Sequence, residues 1–264
     1  LTVYGFDIAS HQAGLDVTKV APQGFDFVVV KLTEGVGYTN PYFEAWRAQA
    51  QSAGLLFAAY HALHHGNGAA QADYFCSKLA DKSIPAMVDF EPFGDNPTAV
   101  DAKAFVKQCA AHGVTVTLNY HPHWYWQSIG SPSLRRLPAV ISSAYPHNTA
   151  AYAAAGYKAA GGDSGAGWAK YGGRKPIIWQ YTSVGRVDGW SGNVDFDAYK
   201  GTRDELAATG LFKDYGHKKP APQPKGHPNL DEARARLRKA AKAYKGGPIG
   251  RAVRAALKAL RLVK

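Results

Sequence analysis

Two carboxyls stand two residues apart where an apolar run ends, Asp89 and Glu91 in the segment MVDFEP. In a strand, side chains repeat every two residues, so both acids project from one face. Like charges at that spacing cannot both ionise cheaply, and an apolar wall raises the pKa of the less solvated one. One acid then keeps its proton near neutral pH while the other stays a carboxylate. Cleavage of a glycosidic bond needs that division: a proton for the leaving oxygen, and a carboxylate to stabilise or attack the cationic sugar. A bare D-x-E also ends many strands as a loop anchor, so the pair needs company to mean chemistry. Asp7 in YGFDIAS and Asp195 in GNVDFDAY supply it, each within an apolar run.

Other run ends carry Tyr60, Tyr120, Tyr145, Trp179 and Gln180. They are the candidates for substrate binding, the rings as flat stacking faces and the amide as a hydrogen-bonding group, although rings in a barrel also serve as core. His61, His64 and His65 follow one run and His121 and His123 another, which opens a second reading as a metal-dependent amidohydrolase or polysaccharide deacetylase. The two cysteines, Cys76 and Cys109, have no metal spacing and are too few for a disulfide framework, so two buried thiols are expected, with a single disulfide between them as the alternative.

The elements that must position these groups are legible as β-branched or aromatic runs at Val3 to Ile8, Phe25 to Leu32, Leu55 to Ala62, Ala86 to Phe90, Val114 to Tyr120, Ala139 to Tyr145 and Ile177 to Thr182, with a weaker eighth at Asn193 to Phe196. Helical stretches separate the earlier ones: Pro41 to Ala53 after a capping Asn40, Ala69 to Ala80, and Ala99 to His112 stopped by Gly113. After Tyr120 the helical pattern thins and Gly, Pro and Ser increase, notably over Gly161 to Gly173. The α/β alternation predicts a TIM-like barrel, irregular, with five βα units plus three closing strands. In such a barrel the active site lies where the strands end, which is where the acids fall.

The 264 residues carry a formal net charge of +11, unevenly spread. Fourteen of the 31 basic residues and two of the 20 acidic ones fall within residues 218–264, leaving 17 basic against 18 acidic in the rest. The basicity therefore belongs to a tail. The expected organisation is a barrel over 1–216, a Pro-rich linker over 217–228 and a basic amphipathic helical tail over 229–264. Attachment to an anionic wall polymer or acidic lipid suits such a tail; specific nucleic-acid binding would rest on charge alone and is not expected. No run of eighteen or more apolar residues and no signal-peptide pattern is present, and residue 1 is Leu, consistent with an excised N-terminus or a TTG start written literally.

Taken together and in order, YGFDIASHQ, AAYHAL, VDFEP and IIWQYTSVGRVDGWSGNVDFDAY resemble glycoside hydrolase family 25, the Chalaropsis-type lysozymes of bacteria, fungi and phage endolysins, over roughly residues 3 to 200. The resemblance implies a flattened barrel with an acidic groove that hydrolyses the β-1,4 bond between N-acetylmuramic acid and N-acetylglucosamine in bacterial peptidoglycan. On the matching positions Glu91 is the general acid, Asp89 assists the substrate 2-acetamido group or stabilises the cationic sugar, and Asp7 and Asp195 complete the acidic floor. Carboxyls two residues apart lie side by side rather than across a sugar ring, which favours substrate assistance. No cofactor or metal is called for, and a monomer acting extracellularly, or released from a host cytoplasm as a phage endolysin, is expected. LNYHPHWYW and AVISSAY depart from the family's wording at the fifth and sixth strands. A barrel that binds wall glycan without cutting it is the remaining alternative, and the costly cluster of acids speaks against it.

Overall fold

The computed structural model describes residues 1–216. The linker expected over 217–228 and the tail expected over 229–264 lie outside the described residues.

In chain order the elements are β1 (Thr2–Ile8), α1 (Val17–Val20), β2 (Phe25–Glu34), β3 (Tyr38–Thr39), α2 (Phe43–Ala53), β4 (Leu56–Ala62), α3 (Gly68–Lys78), β5 (Ala86–Asp89), α4 (Ala99–Ala111), β6 (Val116–Tyr120), α5 (His123–Ser128), β7 (Ala139–Ser143), α6 (Ala153–Ala159), β8 (Ile178–Gly185), β9 (Val194–Lys200), α7 (Arg203–Ala208) and β10 (Lys213–Asp214). Eight strands close a barrel in the order β1-β2-β4-β5-β6-β7-β8-β9, with β3 added to β2 and β10 to β4. From β1 through β8 the barrel neighbours pair in parallel, whereas β9 runs antiparallel to both β8 and β1. The later crossovers are short, through α5 and α6, and only the last of the three closing strands reverses.

Local chemistry sets the helix ends. Asn67, in the left-handed region at φ +52°, accepts from the Ala70 N–H at the start of α3, and Thr98 and Asp101 form a reciprocal capping box on α4. Asn40 acts one turn early, its side chain accepting from Tyr42 N–H at 3.1 Å just ahead of α2. Gly54, at φ +72°, closes α2 in the left-handed turn that side chains rarely adopt.

Strand alternation divides the apolar residues into two cores. Val29, Met87, Leu118 and Ile141 face the barrel interior, and Val28, Val30, Val88 and Val140 pack outward under the helices. Phe27, Leu56 and Phe212, with Leu206 of α7, belong to the interior group; Thr117 Oγ1 donates to Leu211 C=O at 2.8 Å, tying the segment after α7 to β6. The thiols of Cys76 on α3 and Cys109 on α4 are free and buried against each other. Among the described residues, no helix is long and apolar enough to cross a membrane.

Candidate active site

A cavity of about 230 Å³ opens on the interior of the barrel. Asp7 lies near the end of β1, Asp89 ends β5, and Glu91 follows two residues later on the same side, as alternation requires. Asp195 comes near the start of its strand, yet reaches the same rim because β9 runs backwards. Its Cα pairs with that of Asp7 across the β1–β9 ladder. All four predicted acids therefore line one cavity, together with Tyr60, Tyr120, Tyr145 and Gln180.

Trp179 does not join them, and this corrects the expectation from sequence. Its neighbour Gln180 points into the barrel, so Trp179 and Tyr181 point out. The Trp179 ring is fully buried among Tyr157, Trp168 and Tyr181, and its indole N–H donates to Ala144 C=O at 2.9 Å. The glycine richness read as loop has the same origin, because a Cβ on Gly165 or Gly167 would come within 2.3 or 2.1 Å of that ring.

Two charged groups in the cavity escaped the sequence reading. Asp197, 1% exposed, is one alternation beyond Asp195, so D-x-D on β9 carries the same signal as D-x-E on β5. Lys31, 6% exposed on β2, is the lysine that faces the carboxyls, bonded through Nζ to Glu34. No alternation argument distinguishes it from a surface lysine, since its strand is apolar on both faces.

Gln180 organises one wall. Its Oε1 accepts from Tyr120 Oη at 2.8 Å and from Tyr145 Oη, which leaves Nε2 to donate to Asp7 Oδ2 at 2.6 Å. Two acceptors of the cavity lining have no hydrogen-bond partner among the described residues, Asp89 Oδ1 and Asp197 Oδ2. A buried acceptor left unpaired is costly, so each is a place where a donor brought by a ligand gains most.

Burial pushes all five carboxyls above the ordinary range. Asp7 is raised further by Asp195 and Asp197 and eased by the Gln180 hydrogen bond. Asp89 is raised further by Glu91 and lowered by Lys31. Glu91 is pushed up to about 7 by burial and by Asp195, against Lys31. Asp195 rises to about 6 by burial. Near neutral pH the cup must then hold fewer negative charges than carboxyls and keep transferable protons.

The histidines of the metal reading sit elsewhere. His61 is on the outer face of β4, held by Thr33 Oγ1 at 2.8 Å and Gln71 Oε1 at 3.1 Å, and burial drives its pKa down to about 3. His121 stacks on Phe90 and bonds its carbonyl at 2.6 Å, His123 packs edge-on to Tyr171, and His64 and His65 contact Asp95 and Asp101. Among the described residues, no group of three or more His, Cys, Asp or Glu side chains is arranged to hold a metal ion.

Residues 6–190 match glycosyl hydrolases family 25. The N,O-diacetylmuramidase of Chalaropsis sp is 32% identical over 166 residues, 54% of this chain and 79% of the relative. Lysozyme M1 of Streptomyces globisporus is 26% identical over 225 residues, 78% of this chain and 70% of the relative. Among solved structures, the bacterial lysozyme from Streptomyces coelicolor superposes with a TM-score of 0.63 at 26% identity, covering 79% of this chain and 97% of that one.

Proposed function

This chain belongs to glycosyl hydrolases family 25 and is a glycoside hydrolase, and from that footing we propose that it is a peptidoglycan muramidase cutting the β-1,4 bond between N-acetylmuramic acid and N-acetylglucosamine, with Glu91 as proton donor. The observation that carries the reading is the pairing of Asp89 and Glu91 on one inward face, where burial holds the Glu91 carboxyl up to about 7.

In the proposed reaction the Glu91 proton passes to the glycosidic oxygen as the C1–O bond breaks. The carbonyl oxygen of the 2-acetamido group bonds to C1, giving a cyclic oxazolinium. Asp89 Oδ1, unpaired in the cavity, accepts from the acetamido N–H, and that hydrogen bond favours the ionised Asp89 carboxyl once substrate is bound. Water then attacks C1 while the Glu91 carboxylate takes its proton, which reopens the ring and returns the acid with retention at C1. Asp7, held by Gln180, and Asp195 form the acidic floor, and Asp195 adds to burial in keeping Glu91 protonated. Tyr60, Tyr120 and Tyr145 offer rings and hydroxyls to the sugars.

The partner is bacterial peptidoglycan, met outside the cell or after release from a host cytoplasm. Residues 1–216 carry the catalysis in this reading, and the basic residues of 229–264 attach the chain to anionic wall polymer or acidic lipid. Neutralising the Lys and Arg of 229–264 in the full chain is expected to weaken whole-cell binding, most at low salt.

Mass spectrometry of the ends released from purified peptidoglycan tests the bond assignment. Reducing-end N-acetylmuramic acid supports it; reducing-end N-acetylglucosamine, or free peptides with intact glycan, contradicts it.

A further inference from the structure

His64 follows the end of β4 and stands between two carboxylates from different elements. Its Nδ1 is 2.9 Å from Asp95 Oδ2, in the segment after β5, and its Nε2 is 3.2 Å from Glu34 Oε1, at the end of β2. A neutral imidazole has one N–H and one lone pair, so it can donate to only one of these; both contacts are hydrogen bonds only in the imidazolium. Glu34 uses its other oxygen, Oε2, on Lys31 Nζ. Lys31 lines the cavity with Asp89 and Glu91, and its Nζ lies 5.0 Å from the Phe93 ring centroid. Signs therefore alternate along one path, from Asp95 through His64 and Glu34 to Lys31 and the cup. Neither His64 nor Glu34 lines that cavity.

We propose that His64 is a positioning residue of the reaction: as an imidazolium it clasps Glu34 to Asp95, which fixes the segment carrying Glu91 and Phe93 and sets, through Glu34, how Lys31 faces Asp89 and Glu91. The inference rests on the muramidase reading above. The charged and titratable groups around His64 are Glu34 and Lys31 from β2, Asp95 from the segment after β5, and His61 from β4, which is kept neutral by burial. Gln71 of α3 contributes uncharged bonds to the His64 backbone, and Asp101 of α4 is taken up by His65 at 3.3 Å. Partial burial alone would lower the His64 pKa, but the bonds to Asp95 and Glu34 outweigh it and raise it. With the folded value raised, the clasp is fully formed below the ordinary histidine range and is released as pH rises through the folded value. Released, Glu34 loses one of its two cationic partners, and the charge on Asp89 is affected because Lys31 lowers its pKa and Glu34 raises it.

The test compares full-length wild type, His64→Leu and His64→Arg on purified, sonicated peptidoglycan across pH, with imidazole NMR titration of wild type, Glu34→Gln and Asp95→Asn. Leucine removes both donors, whereas arginine keeps a permanent cation with several. Expected are a drop of about tenfold in kcat for H64L with KM within about twofold, a shifted pH profile, and recovery of most of the loss in H64R. The His64 titration midpoint is expected to fall in both E34Q and D95N. Wild-type kcat and pH profile in H64L, or H64R as impaired as H64L while both melt like wild type, would overturn the proposal. So would an unmoved NMR midpoint in E34Q and D95N, a readout that needs no turnover. If wild type releases no muramic ends, the muramidase reading fails, and the NMR still judges the clasp by itself.

Discussion

Asp7 and Asp195 face each other as paired residues of the antiparallel strands β1 and β9. Adjacent strands lie about 4.8 Å apart, too close for two carboxylates to ionise independently in a buried cup. Asp195 is the hub of that repulsion, since it raises Asp7, Glu91 and Asp197 together.

Asp195→Asn should therefore move the alkaline limb of the pH–rate profile. In the proposed reaction Glu91 must be protonated to act, so activity is expected to fall as pH rises through about 7. Asp195, at about 6, is charged across that limb and adds to the raising of Glu91. Without its charge Glu91 loses its proton at lower pH, so the limb shifts toward acid while the rate near pH 5 changes less. A kcat/KM profile from pH 4 to 9 checks this, and an unmoved limb would remove Asp195 from the proton-holding role.

Asp197→Asn should stabilise the fold near neutral pH. Asp197 is raised by burial and by Asp195, and its Oδ2 has no hydrogen-bond partner among the described residues. With the folded pKa above the unfolded value of about 3.9, the acid costs nothing at low pH, where both states are protonated. The cost builds as pH rises above the unfolded value and levels off past the folded one. The melting temperature should rise at pH 7 by about 2–4 °C for each kcal/mol relieved, and the gain should vanish below about pH 3.5, under the unfolded value. An equal shift at both pH values would mean that packing, not charge, is responsible.

Most of the framework was legible because barrel strands are apolar where they must be and polar where they end. The eight runs each fall on a barrel strand, and D-x-E correctly implied two acids on one face. Alternation also says which of Trp179 and Gln180 enters the barrel once one of them is placed, but ring type alone made both look like binding residues. Lys31 and the clasp at His64 depend on which strand ends meet, which spacing along the chain does not encode.

Trp179→Phe should destabilise without affecting substrate affinity. The change removes the indole bond to Ala144 C=O and opens space over Gly165 and Gly167, at a cost of about 1–3 kcal/mol. Denaturant unfolding should show the loss while KM stays at the wild-type value. A raised KM in a well-folded W179F would put the ring back among the substrate contacts.

The direct measurement of Glu91 as the proposed proton donor is kcat for glycan cleavage by Glu91→Gln on purified peptidoglycan at pH 5–6, with circular dichroism and melting as folding controls. Glutamine keeps the shape and supplies no acidic proton, so kcat should fall by about 10²–10⁴ with the fold intact. A folded E91Q that cleaves at the wild-type rate would contradict the assignment.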